Sequence, residues 1–144
     1  MKPIQTIIEI FRQNGRKITP QRRLILEQLI SDDSHPTAEQ IYQRVKAVMP
    51  DVSRTTVYNT LRELVEIGEL APVEDLSENG LRYDIHTENH HHLFCINCHK
   101  LIDLKRDFEG LELPSEEASG YQIVKSQVTF YGYCADCKKQ PIMP

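Results

Sequence analysis

Four cysteines and six histidines define the chemistry open to this chain. Cys95-Ile-Asn-Cys98 and Cys134-Ala-Asp-Cys137 are two C-x-x-C knuckles with 35 residues between them. A tight turn in each knuckle puts both sulfurs on one side, so the pair can form a tetrahedral thiolate site for structural Zn²⁺, with bonds of about 2.3 Å. Two disulfides are the competing use of the same residues. The opening MKPIQTIIEIFRQNGRK has no long apolar core and no small-residue cleavage site, so we read no secretory signal there. A reducing cytoplasmic setting is therefore expected, in which thiols persist and bind metal. The gap is longer than that of a zinc ribbon, so the site should staple distant strands and leave no open position for catalysis.

A second concentration lies from Asp84 to Asp103, DIHTENHHHLFCINCHKLID, which holds five of the six histidines. Side chains alternate along a strand, so His90 and His92 share a face while His91 points away. With carboxylates at Asp84 and Asp103 on neighbouring strands, this is a mixed nitrogen and oxygen site, suited to Fe²⁺, Mn²⁺ or Zn²⁺ over Ca²⁺ or Mg²⁺. One histidine alone is better explained as a surface or hydrogen-bonded group; the set favours a metal. His86, two residues after Asp84, is a competing ligand. A metal-dependent hydrolase would use the same cluster to activate water. No separate general base stands beside it, so no enzyme is expected.

These groups need elements to position them. At 144 residues the chain suffices for one domain or two small ones. With 40% hydrophobic and 26% charged residues it reads as globular, and no apolar run approaches membrane-spanning length. Charge is unevenly spread. Residues 1–62 carry ten Lys/Arg against six Asp/Glu, a net of +4, and residues 63–144 carry seven against fifteen, a net of −8. A basic front half joined to an acidic back half suggests a DNA-facing module attached to something else.

Ile4, Ile7, Ile8 and Phe11 recur at helical spacing up to Asn14-Gly15. Thr19-Pro20 is a cap followed by proline at the first helical position, opening a helix that should bury Leu24, Ile25, Leu26 and Leu29. Thr37-Ala38-Glu39-Gln40 matches a capping box for a third helix ending near Met49-Pro50. Ser53 can cap a fourth, Arg54 to Ile67, closed by Gly68. The short turn between the third and fourth helices is the layout of a helix-turn-helix. Arg54, Thr55, Tyr58, Asn59 and Arg62 share one face of the fourth helix, with the cations, hydroxyls and amide that hold phosphates and read base edges in a major groove. Leu70–Glu74 and Leu81–Ile85 read as a hairpin turning at Ser77-Glu78-Asn79-Gly80, a wing behind the helix-turn-helix. Further on, Leu93–Asn97 and Lys100–Leu104 read as paired strands, Ser115–Ser119 as a short helix, and Tyr121–Tyr133 as a strand leading to the second knuckle. The expected class is α+β: a winged-helix DNA-binding domain at 1–83 and a small dimerisation and metal-binding domain at 84–144. The second domain is small enough that pairing with another copy would help bury its sheet.

The chain resembles the ferric uptake regulator family of metal-dependent repressors over nearly its whole length. The resemblance is carried by Arg16-Lys17-Ile18-Thr19-Pro20-Gln21-Arg22, His35-Pro36-Thr37-Ala38, Ser53-Arg54-Thr55-Thr56-Val57-Tyr58-Asn59-Thr60-Leu61, Arg82-Tyr83-Asp84, His90-His91-His92 and both knuckles. It implies a homodimer that binds palindromic double-stranded operators, with Arg16, Lys17 and Arg22 joining the DNA contacts. It also implies a four-cysteine zinc and a regulatory Fe²⁺ or Mn²⁺ held by His35, Asp84, His90, His92 and Asp103. His35 would come from the DNA-binding half, so metal binding would lock the two halves in one orientation, and its coupling to DNA would be reciprocal. Iron-sensing members have glutamates where Asp84 and Asp103 stand. Peroxide-sensing members have aspartates at both, which implies a vacant metal position and oxidation at His35 and His90. The alternative implied by the resemblance is a repressor that reads iron, manganese or zinc availability by reversible metal binding.

Overall fold

The structure is a computed structural model and describes residues 2–74, 80–106, 108 and 111–139. Two compact units divide the chain, Met1–Thr87 and Glu88–Pro144.

The first unit contains α1 (Ile4–Gln13), α2 (Pro20–Ile30), α3 (Ala38–Val48) and α4 (Arg54–Glu66), followed by the antiparallel pair β1 (Ala71–Val73) and β2 (Arg82–Asp84). Local chemistry sets the helix ends. Thr19 and Ser53 accept the backbone N–H groups of Arg22 and Thr56, and Thr37 with Gln40 closes a reciprocal capping box. After α4, Gly68 adopts φ +77°, and the N–H groups of Gly68 and Glu69 return to the carbonyls of Val65 and Leu64. A side chain at that φ would be strained, so glycine ends the helix. One apolar core joins the four helices, with Phe11, Ile25, Leu26, Ile41, Val57 and Leu61 almost wholly buried. Leu24, an expected core residue, is only partly buried at its edge.

The hairpin is tied to the loop before α3. Thr37 forms an isolated antiparallel bridge with Arg82, and the Tyr83 N–H donates to the Pro36 carbonyl at 3.0 Å. This suture brings β2, and Asp84 at its end, beside His35. The expected turn at Ser77–Asn79 lies outside the described residues.

In the second unit β3 (His91–Cys95) lies between β4 (Leu101–Leu104), antiparallel, and β5 (Thr129–Gly132), parallel. Three expectations need correction. The strand expected at Leu93–Asn97 begins two residues earlier, because His91 and His92 already pair with Leu104 and Asp103. The helix expected at Ser115–Ser119 is a set of turns, in which the Glu117 and Ala118 N–H groups share the Pro114 carbonyl. The strand expected over Tyr121–Tyr133 is confined to Thr129–Gly132. Parallel register sets Thr129 opposite His92, so residues 121–127 run past the start of β3 and join no ladder among the described residues. Among the described residues no helix is long and apolar enough to cross a membrane.

Candidate metal centres and nucleic-acid interface

The four cysteines converge in the second unit. Cys95 ends β3, Cys98 closes the turn after it, and Cys134 and Cys137 follow β5. Because β3 and β5 are parallel, both knuckles leave the sheet at the same end. All four are free thiols whose sulfurs lie within 4.8 Å of one another. The Cys98 and Cys134 sulfurs are 3.8 Å apart, which is the edge of a tetrahedron with bonds of about 2.3 Å and too long for a disulfide.

Hydrogen bonds from the knuckle backbones favour thiolate. The N–H groups of Cys98 and Cys134 pull the Cys95 thiol down to about 6. The Cys137 N–H holds Cys134 below the ordinary thiol range. Asn97 donates to the Cys137 sulfur at 3.3 Å and lowers its pKa, but hydrogen bonding with Cys134, burial and the neighbouring Cys98 and Cys95 sulfurs outweigh this and push it up to about 12. Crowded sulfurs cannot all ionise without a cation among them, and a divalent metal relieves that conflict. The donor set and spacing fit zinc.

A second cluster in this unit joins His90, His92 and Asp103. Register places His92 directly opposite Asp103. The Nε2 atoms of His90 and His92 lie 3.1 Å and 3.3 Å from the same Asp103 Oδ1, and the two rings meet edge to face at 4.6 Å. Proton placement is informative. His90 Nδ1 is 2.7 Å from the Glu88 carbonyl, an acceptor only, so Nδ1 carries a hydrogen. Nε2 is then the nitrogen left to face the Asp103 carboxylate, where it can donate from the imidazolium or bind a cation held between the two groups. Two imidazoles and one carboxylate are the protein donor set of non-haem Fe²⁺ sites.

His91 is buried but differently occupied. Its Nδ1 accepts the Val128 N–H at 3.0 Å, and its ring tilts against Phe108. That nitrogen serves the fold.

In the first unit His35 Nε2 is 3.4 Å from Asp84 Oδ2, with both side chains almost fully buried. His35 adopts φ +56°, an uncommon conformation for a residue with a side chain and one that recurs where function holds the backbone in place. The other Asp84 oxygen accepts the His86 N–H at 2.8 Å and lies 3.4 Å from His86 Nδ1. His86 thus supports Asp84 as well as competing with it.

On α4, Arg54, Thr55, Tyr58 and Arg62 are exposed and Asn59 is partly so. Beside them a polar cleft of about 550 Å³ is lined by Arg16, Lys17, Arg22, Thr56, Asn59 and Glu63, among others. The arginines are held by acids that sequence reasoning missed. Arg54 pairs with Glu39 at 3.0 Å and lies over the Tyr42 ring at 4.4 Å. Arg16 pairs with Glu66 at 3.0 Å, and Arg22 with Glu63 at 2.9 Å while also donating to the Lys17 carbonyl. Each of these pairs joins separate segments of the chain, so helical periodicity gave no signal of it.

Comparison with known proteins places this geometry in context. Residues 13–131 match the sequence model described as the ferric uptake regulator family. The peroxide-responsive repressor PerR of Staphylococcus epidermidis is 33% identical over 138 residues, covering 95% of this chain and 91% of that protein. A zinc-bound manganese uptake regulator superposes with a TM-score of 0.66 at 26% identity, over 92% of this chain and 99% of its own. The Helicobacter pylori ferric uptake regulator, whose structure reveals three functional metal-binding sites, superposes with a TM-score of 0.75 at 21% identity, over 97% of both chains, and speaks to the fold. With a family match over most of its length and a relative of one-third identity, this chain belongs to the ferric uptake regulator family.

Proposed function

We propose that this protein is a homodimeric, metal-dependent transcriptional repressor that binds palindromic operator DNA and is released when peroxide oxidises its regulatory site. The observation that carries the reading is the convergence of His90 and His92 on one oxygen of Asp103. The His35–Asp84 pair supplies two further ligands of the same kind from the other unit. Neither set alone fills the five or six positions that Fe²⁺ or Mn²⁺ takes, and together they supply five. A shared ion would therefore fix the two units relative to each other and favour one DNA-binding arrangement. The cysteine site would hold structural zinc.

DNA contact is assigned to Arg54, Thr55, Tyr58, Asn59 and Arg62 on α4, with Arg16, Lys17 and Arg22 along the adjoining cleft. Binding through these cations should weaken steeply with salt.

Fe²⁺ bound at the regulatory site would supply the reducing electron that cleaves the O–O bond of peroxide. We assign His35 and His90 as the residues that take up one oxygen; overall, one H₂O₂ converts one imidazole C–H to C–OH, or its oxo tautomer, and leaves one water, so the electron lent by iron is returned to it. Short aspartate arms at 84 and 103 favour a coordination position left open for peroxide. The 33% identity to a peroxide-responsive repressor supports this choice. The likeness to a manganese uptake regulator favours a second reading, in which reversible metal loss is the signal.

The test treats Fe²⁺-loaded and Mn²⁺-loaded protein with peroxide and maps the peptides by mass. One added oxygen on a peptide containing His35 or His90 in the iron form alone, with loss of binding to duplexes selected from a randomised pool, is the expected result. Unchanged masses and unchanged binding would leave the availability reading.

A further inference from the structure

We propose that Gln127 is the positioning residue for His92, holding the proton on Nδ1 and so opening Nε2 to the regulatory metal. The inference rests on the metal-site reading above. His92 is fully buried, and its Nδ1 lies 2.9 Å from Gln127 Nε2, the orientation in which the amide donates to the ring and the ring proton sits on His92 Nε2; the Nδ1–H form follows when the amide turns over as metal binds. Gln127 stands two residues before β5, whose parallel register with β3 sets Thr129 opposite His92 and lets the His92 N–H donate to the Val128 carbonyl at 2.9 Å. The approach of this amide is thus set by the sheet.

The two imidazoles on Asp103 are anchored in corresponding ways. Each turns Nε2 toward the carboxylate and ties Nδ1 to a group behind it: the Glu88 carbonyl for His90, the Gln127 amide for His92. A carbonyl can only accept, so the His90 proton stays on Nδ1. An amide both donates and accepts, and rotating it by half a turn exchanges its oxygen and nitrogen in nearly the same place. With the NH₂ toward the ring, the His92 proton sits on Nε2 and is donated to Asp103. With Oε1 toward the ring, the proton sits on Nδ1 and the Nε2 lone pair is available. The ring keeps one proton in both states. Gln127 therefore lets His92 rest paired with Asp103 when metal is absent and present itself as a ligand when metal arrives. Partners of this kind typically alter metal affinity about 10–100-fold.

The experiment measures Mn²⁺ affinity of the full-length protein by calorimetry for the unaltered chain, Gln127→Ala and Gln127→Glu, and records ¹⁵N shifts of the His92 ring without Mn²⁺. Gln127→Ala should weaken binding about 10–100-fold. Gln127→Glu accepts only, so it should bind at least as tightly as the unaltered chain and move the metal-free ring from the Nε2–H to the Nδ1–H form. Equal weakening by both variants, or no change in either, would overturn the assignment. Failure of the unaltered chain to bind Mn²⁺ would instead strike the metal-site reading itself.

Discussion

Asp103 offers one oxygen to two imidazoles, and in the proposed metal site the charge on that oxygen would draw the cation to them. Asp103→Asn keeps the size of the side chain and removes the charge. Mn²⁺ affinity should fall by at least about 10–100-fold, the loss typical of merely supporting groups, with the thermal midpoint little changed. Titration calorimetry beside a melting curve checks this, and an unaltered affinity would remove Asp103 from the site. At this scale the sequence was readable wherever the relevant partner is local. Thr19, Thr37 and Ser53 cap helices whose first turns they can reach, and each C-x-x-C turn is self-contained. The groups behind the histidines were not readable. The Glu88 partner is a backbone carbonyl, which every residue carries. Gln127 lies 35 positions from His92 and meets it only because two strands run parallel.

α4 presents cations together with acids that restrain them. Glu63 takes Arg22 at 2.9 Å and approaches Arg16 at 3.8 Å, and its own side chain is largely buried. A phosphate that engages either guanidinium must displace this carboxylate, so Glu63 should weaken indiscriminate DNA binding. Glu63→Gln is expected to raise affinity for unrelated duplexes and to steepen the dependence of log affinity on log salt by about 0.9, the increment of one phosphate contact. Fluorescence anisotropy across a salt series measures the slope, and an identical slope would make the pairing purely structural. The helices themselves were legible because amphipathic spacing and caps lie within each segment. β5 was not, because alternation marks a residue as able to join a strand and says nothing of where its partner strand stops.

For the molecule as a whole, the contrast is between one large core and one small one. The first unit buries apolar side chains from all four helices, whereas among the described residues of the second unit Phe94 and Leu101 are the buried apolar residues besides cysteine. So little apolar burial leaves a domain dependent on staples or partners. Tyr121 and Val124, exposed at 78% and 90%, offer apolar surface suited to burial in the proposed dimer. Stripping zinc with a strong chelator should abolish cooperative melting of the second unit and leave that of the helical unit in place. Calorimetric scans before and after chelation would show this, and retention of both transitions would mean that the cysteines are not a structural site. Much of this dependence was apparent from two knuckles in a short segment; the thinness of the core emerged only with the sheet.

The parallel pairing of β3 with β5 has an effect on how freely the protein can diverge. A zinc clasp joining Cys98 to Cys134 would pin a 35-residue excursion at both ends, and the entropy of holding such a loop rises only with the logarithm of its length. Doubling that excursion would cost about 0.6 kcal/mol, so insertions there are cheap while the clasp holds. Within that span, the connection after β4 and ahead of Gln127 is thus where new segments can be added without redesigning the sheet that holds the histidines.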